Sequence, residues 1–274
     1  MTMSDGDVGQ LVRRWRLRRR RSQLDVSLAA EVSTRHLSFI ETGRAVPSRA
    51  MIERLCDELD VPLRERNAFY LAAGLAPVHR ERPLSELGAA RAAVEAVLDG
   101  HEPNPAAAVD IHWDLLACNK AMARFLTDLP PEVAGPPPNM LRVTMHPSGF
   151  ASRLRNAAEW RAHTLRRVRR QLERTADPVL ADLLAELESY PAPVPADDRE
   201  PASNGISTPM RLVTDAGELS LLYTVTVFGS PRDITLDEIA IETFFPADDA
   251  TRSALRRLAG DVRDRERSGT GLTR

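Results

Sequence analysis

Lysine is nearly missing from this chain of 274 residues: Lys120 is the only one among 37 basic side chains, so a run of arginines carries less meaning here than elsewhere. Cysteine is almost as scarce. Cys56 and Cys118 stand in apolar surroundings with no CxxC or Cys/His spacing, which excludes a disulfide framework and a zinc site and fits a reducing, cytoplasmic compartment. No apolar run approaches the ~20 residues that cross a bilayer, and MTMSDGDVGQ lacks the charged-then-apolar order of a signal peptide, so neither membrane insertion nor export is expected. Also missing are a Gly-rich phosphate loop and a nucleophile elbow, and His101, His112, His146 and His163 are not paired at metal-ligand spacing. The chain therefore reads as a non-enzyme with no cofactor and no metal. A haem held by one axial histidine is the one cofactor reading left, and a lone histidine is more often structural.

What is present is 43% hydrophobic and 28% charged, enough for one large or two ordinary globular domains. The net charge of −2 conceals an asymmetry. Residues 1–80 hold 14 arginines against 10 acidic residues, so they carry +4 and the remainder −6. Only the first part attracts polyanions on these grounds. Its sharpest cluster is RRWRLRRRR, residues 13–21, which is either a polyanion-facing run or the solvated face of a helix.

Apolar spacing over the first seventy-odd residues predicts five short helices. Val8, Leu11, Val12, Trp15 and Leu17 stripe the first, and Leu24, Leu28 and Ala29 give the second its packing face. Ser22, Ser33 and Ser48 are placed to cap the second, third and fourth helices, Gly43 lies just past the third, and Pro62 starts the fifth. A proline-bearing linker, residues 76–86, ends this all-α domain, assigned to residues 1–80. Residues 81–265 read as an α+β domain with an antiparallel sheet: a small helix over 87–98, two short strands in 106–119, a helix over 120–129, a proline-rich loop over 130–139, two long helices within 149–190, and a loop over 191–205. Strands follow in MRLVTDAGELSLLYTVTVFG and ITLDEIAIETFFPAD, which carry β-branched and aromatic residues at period two. Residues 266–274 read as a flexible tail.

The second and third helices, joined by a three-residue turn, have the spacing of a helix-turn-helix, in which the N-terminal end of the second of the pair enters a major groove. Gln23, Ala-x-Val-Ser in the turn and Ile-Glu-x-Gly-Arg after the third helix resemble the Cro-like (XRE) helix-turn-helix family over nearly all of residues 8–75; Glu31 stands where that family often has glycine. With Leu37 and Ile40 facing the core, Thr34, Arg35, Ser38 and Phe39 are left to face double-stranded DNA. Arg35 suits guanine O6 and N7, and Phe39 either meets a thymine methyl or packs against a neighbouring helix. Gln23, Ser33 and Arg44, at helix ends, suit phosphate oxygens. Half-sites in two-fold operators predict a homodimer.

Further along, Arg-Glu-Arg-Asn followed by Ala-Gly in residues 64–74, the Trp113 to Asn119 segment leading into a helix, Trp160 in a long helix and the terminal hairpin are similar to MmyB-like transcriptional regulators over almost the whole chain. That resemblance implies a PAS-like domain that binds an apolar small-molecule effector, such as a fatty acid, between sheet and helices. Leu219, Leu221, Tyr223, Val225 and Val227 alternate onto one strand face, and Ile239, Ile241 and Thr243 onto one face of the next. Trp113, Leu221, Tyr223, Val225 and Ile241 are the candidate ligand residues, Trp113 and Tyr223 because each joins apolar area to a polar tip. The same face could instead be ordinary core packed by Trp113, Phe125, Leu165 and Val168. The rival function is a domain that serves dimerisation or a protein partner and takes no small molecule.

Overall fold

The computed structural model describes residues 7–80, 82, 84–86, 88–192, 208–229 and 233–269, with residues 261–269 described by their backbone alone. Two compact units result: residues 1–83 with 230–237, and residues 84–229 with 238–274.

The first unit is helical: α1 (Val8–Arg18), α2 (Gln23–Ala29), α3 (Thr34–Glu41), α4 (Arg49–Glu58) and α5 (Leu63–Ala72). Local chemistry places the starts. Ser22 Oγ accepts from Asp25 N while the Asp25 carboxylate accepts from Ser22 N, a capping box, and Ser33 and Ser48 accept from the amides of His36 and Met51. Glu31 takes a left-handed φ of 54° in the turn between α2 and α3, the conformation for which glycine is the usual choice. Gly9 faces the Ile40 carbonyl so closely that a Cβ would collide with it, which lets α1 lie against the end of α3. Trp15, Val26, Leu37, Ile40, Leu55 and Phe69 are buried together in one core.

Two expectations fail in α2 and α1. Leu24 and Leu28 are 56% and 70% exposed and Leu17 is 57% exposed; α2 buries Val26 and Ser27 instead. The reason is the crossing with α3, where Ser27 Oγ meets Thr34 Oγ1 at 2.9 Å. A small side chain is needed there, and at about 100° per residue that turns Leu24 and Leu28 outward.

The second unit contains α6 (Gly88–Gly100), β1 (Ala106–Val109), β2 (Leu115–Cys118), α7 (Lys120–Leu126), α8 (Pro131–Ala134), α9 (Met140–Met145), α10 (Ala157–Thr175), α11 (Pro178–Ser189), β3 (Met210–Thr214) and β4 (Gly217–Val227). After α12 (Ile234–Glu238) come β5 (Ala240–Pro246) and α13 (Asp249–Gly269). The strands form one antiparallel sheet in the order β2-β1-β5-β4-β3. ITLDE, expected as strand, is helical, and the chain between β4 and β5 belongs with the first unit: Ile234 N donates to Arg80 O, and Arg82 pairs with Asp233 at 3.1 Å. Helices α8 and α9 lie in and beside the expected proline loop, α8 opening on the proline that suits a first helical position. The long α13 was not anticipated, and it reaches into the expected tail, whose residues 270–274 lie outside the described residues, as does most of the loop over 191–205.

Register sorts the sheet residues into two faces. Tyr223 opposes Phe244, Val225 opposes Glu242, and Glu242 also opposes Ala107, so these share one face with Leu219 and Leu221. That face carries the main core, with Trp113, Trp160, Leu165, Val168, Leu183 and Phe244. Ile241 opposes Ala108 and Thr226 and is buried on the other face, the side of Ala106 and Thr243.

Candidate DNA-reading helix and ligand site

In the first unit, α3 is fixed from behind. Leu37 and Ile40 are fully buried, and Glu41 behind them takes a two-point ion pair from Arg16 of α1, with Nε to Oε1 at 2.6 Å and the second guanidinium nitrogen to Oε2 at 2.9 Å. Gln23 Nε2 adds a bond to Oε2 at 2.8 Å. Burial alone would raise the Glu41 carboxyl, but the bonds from Arg16 and Gln23 outweigh it and hold it below the usual carboxylate range. Three helices thus meet on one carboxylate.

This locking uses residues that the sequence assigned to DNA. The Gln23 amide is committed to Glu41, and the Thr34 hydroxyl to Ser27. Ser33 Oγ caps α3, and the Ser38 carbonyl accepts from Thr42. Arg35 and Arg44 are exposed, and both guanidiniums lie over the half-buried Phe39 ring, 5.3 and 5.9 Å from its centroid. Arg44 owes its position to the helix end. Arg44 N donates to Phe39 O and Gly43 N to Ile40 O, a Schellman closure in which Gly43 has a φ of 72°. One surface therefore presents two cations and an aromatic edge.

Part of the arginine run is committed within the unit. Arg16 belongs to the Glu41 pair, Arg19 donates to the carbonyls of Leu59 and Asp60, and Arg21 donates to Glu58 O at 2.7 Å. Arg18 and Arg19 also lie over Trp15. The run thus ties α1 to the C-terminal end of α4, whose orphan carbonyls favour cations, and leaves Arg13, Arg14 and Arg20 exposed.

In the second unit, Trp113, Leu221 and Tyr223 do meet on the inner face, whereas Val225 and Ile241 do not join them. Val225 shares the face of Tyr223 but lies where the helical cover runs out and is 41% exposed; Ile241 is on the reverse of the sheet. Period-two alternation could not link the faces of β4 and β5, because the register between strands is not written in either strand alone.

The residues that complete the site come from α10 and β5 and were missed. Trp160, His163, Thr164, Arg167 and Gln171 recur at helical spacing along one stripe of α10. Arg167 reaches Glu242 at 3.0 Å and lies over the rings of Trp113 and Tyr223, 3.9 and 4.7 Å from their centroids. Tyr223 Oη donates to Glu242 Oε1 at 2.8 Å, and Trp113 Nε1 donates to Gln171 Oε1 at 3.0 Å. Trp113 holds a φ of 72°, an uncommon conformation for a bulky residue and one that occurs preferentially where a site is held under strain. Desolvation pushes the Glu242 carboxyl up to about 7 in spite of Arg167, and lowers both Arg167 and the His163 imidazole. The available signal was the carboxylate at 242, the one charged residue in a strand of mainly apolar residues.

Trp160 also walls a hollow of about 180 Å³ bounded by Met145, Leu154, Ala157 and Pro191. A larger one, about 570 Å³, lies among Lys120, Arg124, Phe125, Leu255 and Leu258 and holds none of the inner-face residues. Its Arg124 and Glu102 are already bonded to Leu258 O and Ala121 N, whereas Trp160 Nε1 and His163 Nε2 are buried without a partner among the described residues, so the inner face is the better candidate. Among the described residues, no three His, Cys, Asp or Glu side chains converge as metal ligands, and no helix is long and apolar enough to cross a membrane.

Residues 90–258 match the family model of the MmyB-like transcription regulator ligand binding domain, and residues 7–69 match that of a helix-turn-helix domain. No curated protein matches the chain.

Proposed function

Because more than half of its length matches that first model, the chain belongs to the MmyB-like transcription regulators, and we propose that it reads a specific operator through Arg35 and Phe39 and answers to an apolar small molecule bound by its second unit. The chain joins a DNA-binding helix-turn-helix domain to a ligand-binding domain. Residues 1–80 are the DNA-binding domain in this reading and residues 81–265 the sensor. Both matched domains are regulator modules, and the function proposed is binding, not catalysis.

The observation that carries the DNA reading is the exposed Arg35–Phe39–Arg44 surface on a helix anchored by Glu41. Arg35 is free to take guanine bidentately, the Phe39 edge to meet a thymine methyl, and Arg44 to hold a phosphate. Gln23, Ser33 and Thr34, at the starts of their helices, contribute by fixing the helices and through their backbone amides, and Ser38 offers its hydroxyl to the DNA. A homodimer on a two-fold operator would double a recognition surface that is small by itself. Selection from random duplexes tests the reading. It should return a two-fold site containing guanine at the Arg35 position, and recovery of no preferred sequence would sink it.

For the effector, a fatty acid is the class favoured, and support comes from the aromatic inner face of Trp113, Leu221 and Tyr223 beside the Trp160 hollow. The hollow is below the ~300 Å³ at which ligand pockets begin, so a short chain fits first and a longer one requires α9 or α10 to give way.

A further inference from the structure

Arg167, Trp160 and His163 surround a single ring. The Arg167 guanidinium lies 4.7 Å from the centroid of Tyr223, the Trp160 ring 6.1 Å and the His163 ring 6.3 Å. Two of the three bring an unmet need. Trp160, 5% exposed, has an indole N–H that only donates, and neither it nor His163 Nε2 has a partner among the described residues. His163 is kept neutral by burial and by Arg167, Arg166 and Arg170, and its Nε2 donates in the tautomer that carries the proton there. A half-buried cation, an unmet indole donor and a ring nitrogen that donates in one tautomer, around one ring, call for an acceptor that carries charge.

Arg167 already has a carboxylate, and that is the difficulty. Glu242 is 5% exposed and faces Arg167 from α10 and the Tyr223 phenol from β4; its neighbour on β1 is Ala107, and His163 and Arg170 lie farther along α10. A second anion beside this pair would leave one negative charge uncompensated in a desolvated place, which is costly unless a proton enters with it.

We propose that the cluster binds the carboxylate of an apolar acid by a change of partner: the incoming carboxylate takes Arg167, with Trp160 Nε1 and His163 Nε2 as donors, while Glu242 takes one proton from solvent and keeps its hydrogen bond to Tyr223. Charge balances, since an anion and a proton enter together. The proposal rests on the reading that this unit takes an apolar effector and adds the head group, its residues and the proton. Because the free Glu242 carboxyl sits at about 7 and binding raises it further, affinity is flat below that value and falls as pH rises through it, by about tenfold per pH unit.

Calorimetry of the full chain with octanoate and with 1-octanol tests this. Octanoate should bind at least about tenfold more tightly than 1-octanol at neutral pH, take up one proton in buffers of differing ionisation enthalpy above about pH 7, and lose its pH dependence in Glu242→Gln. Arg167→Gln should bring octanoate down to the level of 1-octanol. Equal binding of the two probes, or octanoate binding without proton uptake in the wild-type protein, overturns the proposal even if neither variant folds. Binding of neither probe overturns the apolar-effector reading along with it.

Discussion

Replacing Arg16 by methionine should loosen α3 more than any change on its exposed side. Glu41 is 4% exposed and would keep only Gln23 as a partner, and removing one member of a buried pair costs ~3–5 kcal/mol because the other charge stays behind uncompensated. Against a domain stability of ~5–15 kcal/mol, that is a large share. Removing both charges, in Arg16→Met with Glu41→Leu, leaves the Gln23 amide and the Arg21 carbonyl unpaired, at ~1 kcal/mol each. The double variant should therefore be more stable than Arg16→Met alone by ~1–3 kcal/mol. Hydrogen exchange of the α3 amides in the full chain measures this directly, since it reports local opening without requiring both units to unfold together. If Arg16→Met changes α3 protection by less than about 1 kcal/mol, or if the double variant is the worse of the two, Glu41 does not anchor the helix.

Arg35→Ala should cost ~1–3 kcal/mol on the selected operator and relax the preference at one base, with little change on unrelated DNA; an equal loss on every sequence, read by fluorescence anisotropy, would make Arg35 a phosphate contact. Arg44→Ala should instead lower affinity on all sequences and reduce the salt slope by ~1, whereas Arg19→Ala and Arg21→Ala should lower the melting temperature of the first unit and leave the slope unchanged, since their guanidiniums are occupied by the end of α4. A depressed Glu41 carboxyl stabilises the fold above its unfolded value of about 4.5, and that contribution disappears as pH falls through the lower folded value. Melts between neutral pH and pH 3 should thus show a steeper acid loss for the wild-type chain than for Glu41→Gln, and parallel curves would remove Glu41 from the explanation.

Much of the helical unit was legible because its instructions are local. Ser22, Ser33 and Ser48 cap the helices they precede, and Gly43 closes α3 where a left-handed residue is required. Leu24 and Leu28 misled because apolar spacing gives a helix its face but not the direction of that face; the crossing through Ser27 and Thr34 decided it. In the second unit the hairpin of β3 and β4 was legible from its turn, while the placing of Ile241 on the reverse face depended on the pairing of β5 with both β1 and β4, which no single segment records. Arg167 and Glu242 were invisible for the same reason. They are 75 residues apart, and only the packing of α10 over the sheet makes them a pair. Helix α13 is hard to read from sequence because Ala254, Leu255 and Leu258 are diluted by arginines and acids.

The most direct test is operator affinity of the full chain, measured by anisotropy on the selected duplex with and without saturating octanoate at pH 6.5. A regulator whose ligand domain governs its DNA-binding domain should show at least about a fivefold change in Kd, the low end of ordinary allosteric coupling, and Arg167→Gln should abolish that change while leaving ligand-free DNA affinity intact. An operator Kd that stays the same while calorimetry shows octanoate bound would contradict the central claim that the two activities are joined in one molecule.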